Sequence, residues 1–244
     1  MKDALPLLFV WYKKNNFNMP WRKTVDPYKI WISEIMLQQT QVKTVIPYFL
    51  KWIKLYPNIN ILSKTSIDNL LILWQGLGYY KRVENILDSA KTIKEKHSNI
   101  FPNNYVDLID LKGIGDYTAS AILAIAYNKH STPIDGNIKR ILSRLYMLSP
   151  KKQIISEYKK KLMAYINKDN PGDSIQALMD IGRTICKPKN PLCIDCPLST
   201  ICKGYKYDTI LFYPYKIKKE IPTYNIVVGF ILRDKKFLIT KRLK

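Results

Sequence analysis

Residues 108–122 read LIDLKGIGDYTASAI. Leu108 and Leu111 stand three apart before a Gly113-Ile-Gly115 turn, and Ala119 and Ile122 stand three apart after it. That spacing predicts two short helices joined by a tight hairpin. The glycines let backbone amides at the start of the second helix come close to a phosphate, a contact that holds nucleic acid without reading its sequence. A plain turn between two helices carries the same glycines. The apolar spacing on both sides favours the phosphate-binding hairpin.

Working outward, Asp135 stands 20 residues past Gly115, in Thr132-Pro-Ile-Asp135-Gly136-Asn137. On local grounds it is an N-cap for the helix that follows. Upstream, Glu34 lies mid-helix among bulky apolar residues, with Gln38-Gln39-Thr40-Gln41 after it. A carboxylate on a solvated stripe is the plain reading. A desolvated one has a raised pKa, which suits a general acid near neutral pH. Glu34 and Asp135 together make a two-carboxylate site for cleaving a glycosidic bond.

The remainder is mostly helical to about residue 205. Asp26-Pro27 is a helix start, with Asp at the N-cap and Pro at the first helical position. The run 28–37 behind it is apolar enough to be buried. Further helices are expected over 66–74, 81–97, 105–111, 116–127, 137–148, 156–166 and 174–185. Pro47 and Pro57 are read near helix starts. Residues 4–12 form an amphipathic N-terminal helix, since Asp3 before them, Lys13 and Lys14 after them and the lack of an A-x-A site argue against a signal peptide. After Cys202 come a basic linker over 203–223, with Lys216, Lys218 and Lys219, and a β-like run over 224–231. A turn at 233–236 and a second strand over 237–240 follow.

The 244 residues carry 40 basic and 19 acidic side chains, a formal charge of +21. That balance points to a polyanionic partner. Since 33 of the 40 are Lys, amid abundant Ile, Asn and Tyr, part of the charge reflects AT-rich coding. A hydrophobic fraction of 47% excludes wholesale disorder. No stretch approaches the ~20 apolar residues of a membrane span. The chain is expected in a reducing cytoplasm, where four cysteines indicate metal rather than disulfides. They run Cys186-x6-Cys193-x2-Cys196-x5-Cys202. Four thiolates suit zinc or a [4Fe–4S] cluster, and the uneven 6-2-5 spacing argues against zinc. Lys187 and Lys189 place charge in the first cysteine loop, where a phosphate can be met.

With these strings the sequence resembles the endonuclease III superfamily of base-excision enzymes, and within it the MutY-type adenine DNA glycosylases. The resemblance covers residues 1 to about 223. It rests on Pro20-Trp-Arg22, Asp26-Pro-Tyr28, the run from Ser33 through Glu34 to Val42, and Trp74-x-Gly-Leu-Gly-Tyr-Tyr80. The hairpin glycines, Asp135 through Arg140 and the four cysteines complete it. Endonuclease III carries a lysine nucleophile two residues after the second hairpin glycine. Tyr117 stands there instead, so lyase chemistry should be weak.

The resemblance implies a mainly α helix–hairpin–helix DNA glycosylase fold. A six-helix domain (21–131) would face an iron–sulfur cluster domain (1–20 and 132–205), with a basic linker (206–223). Residues 224–244 would begin a truncated Nudix-like β domain, seen as a C-terminal β-hairpin remnant. Without the rest of that domain, discrimination between 8-oxoguanine and guanine is expected to weaken. The implied partner is duplex DNA with A:8-oxoG or A:G mispairs, bound by a monomer in a nucleoid-associated, bacterial-type cytoplasmic setting. Adenine would be flipped out. Glu34 would protonate it, Asp135 would stabilise the oxocarbenium ion, Asn137 would orient Asp135, and Tyr117 would bond near Glu34. Arg22 and Gln176 would read the adenine edge, while Gln39 and Tyr79 would fill or wedge the stack. Cys186, Cys193, Cys196 and Cys202 would hold a structural [4Fe–4S] cluster. Lys112, in place of the usual proline before Gly113, should loosen the turn slightly. Two other readings stand beside this one: a glycosylase for mismatched thymine or oxidised pyrimidines, and a non-catalytic iron–sulfur DNA-binding module.

Overall fold

The computed structural model describes residues 4–15, 17–149, 154–215, 222–227 and 229–238. Its helices, in chain order, begin with α1 (Ala4–Asn15), α2 (Pro27–Leu37), α3 (Val42–Leu55), α4 (Ile59–Leu62), α5 (Ile67–Trp74) and α6 (Lys81–Lys96). They continue with α7 (Tyr105–Asp110), α8 (Asp116–Ile125), α9 (Gly136–Tyr146), α10 (Ile154–Leu162), α11 (Pro171–Thr184) and α12 (Lys203–Lys206). Among the described residues no helix is long and apolar enough to cross a membrane.

Two apolar cores organise these helices. The first, built from residues between Met19 and Leu123, centres on Trp31, Trp52 and Trp74. Trp52 and Trp74 meet edge to face at 5.7 Å. The second gathers Leu8 from α1 with Ile138, Leu142, Ile175 and Leu178 from α9 and α11. Helix α8 serves both: Ile122 packs in the first core and Ala124 in the second. A helix buried on opposite sides needs small residues, and Ala119, Ser120, Ala121 and Ala124 supply them. Gly172 admits α11 close to the end of α8, because a Cβ there would lie 3.0 Å from the Ala124 carbonyl oxygen.

Local chemistry sets the helix ends that matter for the site. Asp26 caps α2, its side chain accepting from the Tyr28 amide at 3.0 Å, with Pro27 first in the helix. Helix α2 stops where Gln39 turns left-handed, at φ +58°. The α7–α8 hairpin turns on Gly113, at φ +79°. Lys112 does not stand loose there. Its ammonium pairs with Asp88 at 2.9 Å, and its carbonyl accepts from the Ser89 hydroxyl, also at 2.9 Å.

Two expectations need correction. Pro47 lies inside α3, not near a start. The buried stripe of Val45, Phe49 and Trp52 continues the helix through it, on a proline whose missing amide sits on the exposed side. Residues 224–227 and 229–231 form no strand. The paired hairpin is shorter, Leu232–Arg233 against Lys236–Phe237, with the turn at Asp234 and Lys235. The β-branched run before it is exposed and has no neighbouring strand among the described residues to pair with. Lys216, Lys218 and Lys219 of the linker, and the end of the second strand from residue 239, lie outside the described residues.

Candidate active site

A cavity of about 700 Å³ opens between the two cores. Its walls come from α2, the turn after α2, α8, the start of α9 and one face of α11. Glu34 on α2 is 6% exposed, and its Oε2 accepts from the Tyr117 hydroxyl at 2.8 Å. Burial raises the Glu34 pKa above the usual carboxylate range. The Tyr117 hydrogen bond and the charge of Arg22 oppose that rise, and the charge of Asp135 adds to it. The Tyr117 pKa is also raised well above its ordinary value, by burial first and then by the Glu34 charge. The Tyr117 ring keeps a partly exposed edge, and the residue lines the cavity.

Asp135 is at once an N-cap and a site residue. Its Oδ1 accepts from the Ile138 amide at 2.6 Å, and its Oδ2 accepts from the Asn137 side-chain amide at 2.9 Å. Burial raises its pKa, while those bonds and the Arg140 charge pull it down. Asn137 is itself held, since its Oδ1 accepts from Arg140 Nη2 at 2.8 Å. Arg140 also donates to the carbonyls of Gly182, at 2.8 Å, and Cys186, at 2.7 Å. The two carboxyls thus differ in environment. Glu34 is enclosed with one donor, and Asp135 has two donors and a nearby guanidinium.

Of the other residues singled out in the sequence, Arg22, Gln39 and Gln176 line the same cavity. Tyr79, Gly113 and Gly115 do not. Tyr79 is 62% exposed on the loop before α6. Gly115 has ordinary φ, caps α8, and a Cβ there would meet nothing within 4 Å, so the hairpin backbone is open to approach. Lys187 and Lys189 are exposed on the cysteine loop, away from the cavity.

Sequence reading named Gln176 but missed the rest of its stripe on α11. Gln176, Met179, Asp180 and Arg183 all line the cavity, and their i, i+3, i+4, i+7 spacing was a signal available from the start. Asp180 is 2% exposed and pairs with Arg22 at 3.3 Å and Arg183 at 3.4 Å. Arg22 is further fixed by donating to the Tyr12 hydroxyl at 2.8 Å.

The four cysteines are all unlinked by disulfides. Burial pushes the thiols of Cys193, Cys196 and Cys202 up, Cys196 to about 12, and neighbouring cysteine charges add to the rise. They therefore share one electrostatic neighbourhood. Arg144 Nη1 donates to the Cys186 sulfur at 3.3 Å and to the Lys187 carbonyl at 2.8 Å, pinning the loop. Among the described residues no group of three or more His, Cys, Asp or Glu stands close enough to hold a single metal ion.

Residues 32–168 match the model of the HhH-GPD superfamily of base excision DNA repair proteins. The chain belongs to that superfamily. The chain is 50% identical over 193 residues to an adenine DNA glycosylase of Buchnera aphidicola subsp. Baizongia pistaciae, covering 77% of this chain and 54% of the relative. It is 35% identical over 209 residues to the adenine DNA glycosylase of Homo sapiens, covering 81% of this chain and 38% of that protein. The chain therefore spans about half, or less, of the length of these relatives. Among solved structures, a thermostable thymine-DNA glycosylase superposes with a TM-score of 0.75 at 25% identity, over 83% of this chain and 95% of that one. A non-covalent endonuclease III–DNA complex gives a TM-score of 0.70 at 21% identity, over 82% and 94%, which shows the shared fold.

Gly182 lies directly beneath the Asn137–Asp135 pair. A Cβ there would stand 2.4 Å from the Asn137 Cβ. Gly182→Ala should cost about 1–3 kcal/mol in denaturant unfolding. A crystal structure of the variant should show Asn137 displaced from its 2.9 Å contact with Asp135.

Proposed function

We propose that this chain carries the catalytic region of a monofunctional adenine DNA glycosylase. It removes adenine mispaired with 8-oxoguanine or guanine, acting as a monomer on duplex DNA in the cytoplasm. The observation that carries the reading is a buried Glu34 carboxyl, hydrogen-bonded to Tyr117, in one cavity with Asp135, the N-cap of α9. The adenine glycosylase relatives support the choice of base. Tyr117 in place of an amine leaves no Schiff-base nucleophile at that position, which favours hydrolysis alone.

In this mechanism the target nucleotide leaves the stack and enters the cavity. Glu34, whose pKa burial raises, gives the proton of its acid form to adenine N7. The C1′–N9 bond breaks with its electron pair going to the base, which departs as neutral adenine. The sugar is left as an oxocarbenium ion that the Asp135 carboxylate stabilises; burial raises the Asp135 pKa, and its two donors and the Arg140 charge favour the ionised form against that rise. Water adds to C1′ and passes its extra proton to Glu34, restoring the acid. Arg22 and Gln176, both polar groups on the cavity wall, hold the adenine edge. Gln39 and Tyr79 fill or wedge the stack around the vacated position. Gly113, Gly115, Lys187 and Lys189 meet backbone phosphates, and such contacts set register rather than sequence.

Cys186, Cys193, Cys196 and Cys202 hold a [4Fe–4S] cluster in this reading. What supports it is four unlinked cysteines whose charges act on one another in one neighbourhood. The cluster, when bound, supplies a cross-link for the loop after α11. The division into a six-helix domain over 21–131 and a cluster domain over 1–20 and 132–205 belongs to the same proposal.

The decisive assay measures base release from A:8-oxoG, A:G, T:G and thymine-glycol duplexes. Adenine is expected from the first two, and Glu34→Gln should slow its release by about 10²–10⁴-fold. Release of thymine instead, or full activity in the variant, overturns the assignment. The pH profile gives a second check. The rate should fall as pH rises through the Glu34 pKa, since the acid form is then lost. Tyr117→Phe removes a donor that favours the carboxylate, so the Glu34 pKa rises and the alkaline limb moves to higher pH. For the cofactor, protein purified without oxygen should contain iron and acid-labile sulfide in equal amounts, about four of each per chain. Stoichiometric zinc would refute it.

A further inference from the structure

Arg82, in the first turn of α6, is 8% exposed and makes no ion pair among the described residues. Its partners are main-chain carbonyls from two separate segments. Nη1 donates to Ile35 at 2.9 Å, Met36 at 3.2 Å and Gln38 at 2.7 Å. Nη2 donates to Leu77 at 3.0 Å and Gly78 at 3.1 Å. The guanidinium also lies 5.3 Å from the Trp74 ring centre and 5.5 Å from that of Tyr79. The first segment is the end of α2, where the Ile35 carbonyl also accepts from the Gln38 amide at 3.4 Å. The second is the loop between α5 and α6, which Trp74 secures by donating to the Gly78 carbonyl at 3.0 Å.

Each tied segment delivers a residue in left-handed backbone: Gln39 at φ +58° and Tyr79 at φ +48°. Side chains rarely adopt that conformation unless their surroundings hold them there. Gln39 stands on the cavity wall, and the Tyr79 ring, stacked against Arg82, remains largely exposed. An exposed aromatic ring backed by a guanidinium is a platform for a nucleic-acid base. Burying a guanidinium without a carboxylate is unfavourable. What this arrangement supplies is relative position.

We infer that Arg82 is a positioning residue for base extrusion, clasping Gln39 and Tyr79 into one rigid pair that enters the duplex while α2 presents Glu34 to the emptied position. The inference rests on the duplex-DNA reading above. Lysine keeps the charge but cannot bridge five carbonyls in two segments.

The test follows 2-aminopurine fluorescence, with the analogue in place of the target adenine, alongside single-turnover release of adenine. Arg82→Lys and Arg82→Met should slow the fluorescence rise and adenine release by the same factor, about 10- to 100-fold. The pH profile of release should keep its shape, because Glu34 and Asp135 are untouched. Normal extrusion with slowed release, a shifted pH profile, or wild-type behaviour in both readouts overturns the inference. Absence of adenine release from the wild-type protein would instead remove the glycosylase reading beneath it. If the Arg82 variants do not fold, a Gln39→Ala and Tyr79→Ala double-mutant cycle decides. A rigid pair requires the double variant to lose less than the product of the single losses, and strict additivity refutes it.

Discussion

The hydrogen bond from the Tyr117 hydroxyl to Glu34 closes the junction between α2 and α8 over a carboxyl taken out of water. Everything around it follows from keeping that group enclosed. Helix α2 must be apolar on nearly every side, and it is, from Tyr28 to Met36. Helix α8 must pass between two cores, so its middle is built of Ala, Ser and Thr. Helix α11 must come close to α8, which Gly172 permits. A buried carboxyl is stable only in its neutral form or with sufficient donors. Burial outweighs the single donor from Tyr117, so the Glu34 pKa is raised.

Asp135 also has its pKa raised by burial in the same cavity, but it has more donors. It stands at a helix N-terminus, takes a backbone amide and the Asn137 amide, and has Arg140 behind its partner. Arg140 also reaches the Cys186 carbonyl, so the cysteine loop and the start of α9 are braced by one side chain. Two carboxyls with unlike surroundings can hold unlike protonation states, which is what acid and electrostatic roles in one site require. Across the cavity, the buried Asp180 shares its charge between Arg22 and Arg183 and so fixes where those cations stand.

The span matched by the superfamily model, residues 32–168, includes Glu34, Tyr117, Asp135 and Asn137. It leaves out Arg22, the α11 stripe and the four cysteines. Arg22 and the α11 stripe nonetheless line the same cavity as Glu34, and Arg140 braces the cysteine loop to the start of α9.

The helices were largely legible from residues alone, because capping and apolar periodicity are local. Asp26-Pro27, Ser66 before α5 and the Gly113 turn each act within a few positions of themselves. Pro47 misled because a proline near a helix start and a proline on the exposed face of a longer helix look alike until the buried stripe is seen. The run 224–231 misled because strand-forming residues need a partner strand, and none stands beside them among the described residues. The Arg22–Asp180 pair and the Arg82 clasp were hidden for a different reason. A buried ion pair such as Arg22–Asp180 joins residues 158 positions apart, and a guanidinium that binds only carbonyls leaves no mark on the side chains it holds. Sequence by itself determined the helices, the hairpin and the types of group available for chemistry. Only the tertiary structure decided how deeply each carboxyl is buried and how many donors it receives, because desolvation is a property of what surrounds a group, not of the group.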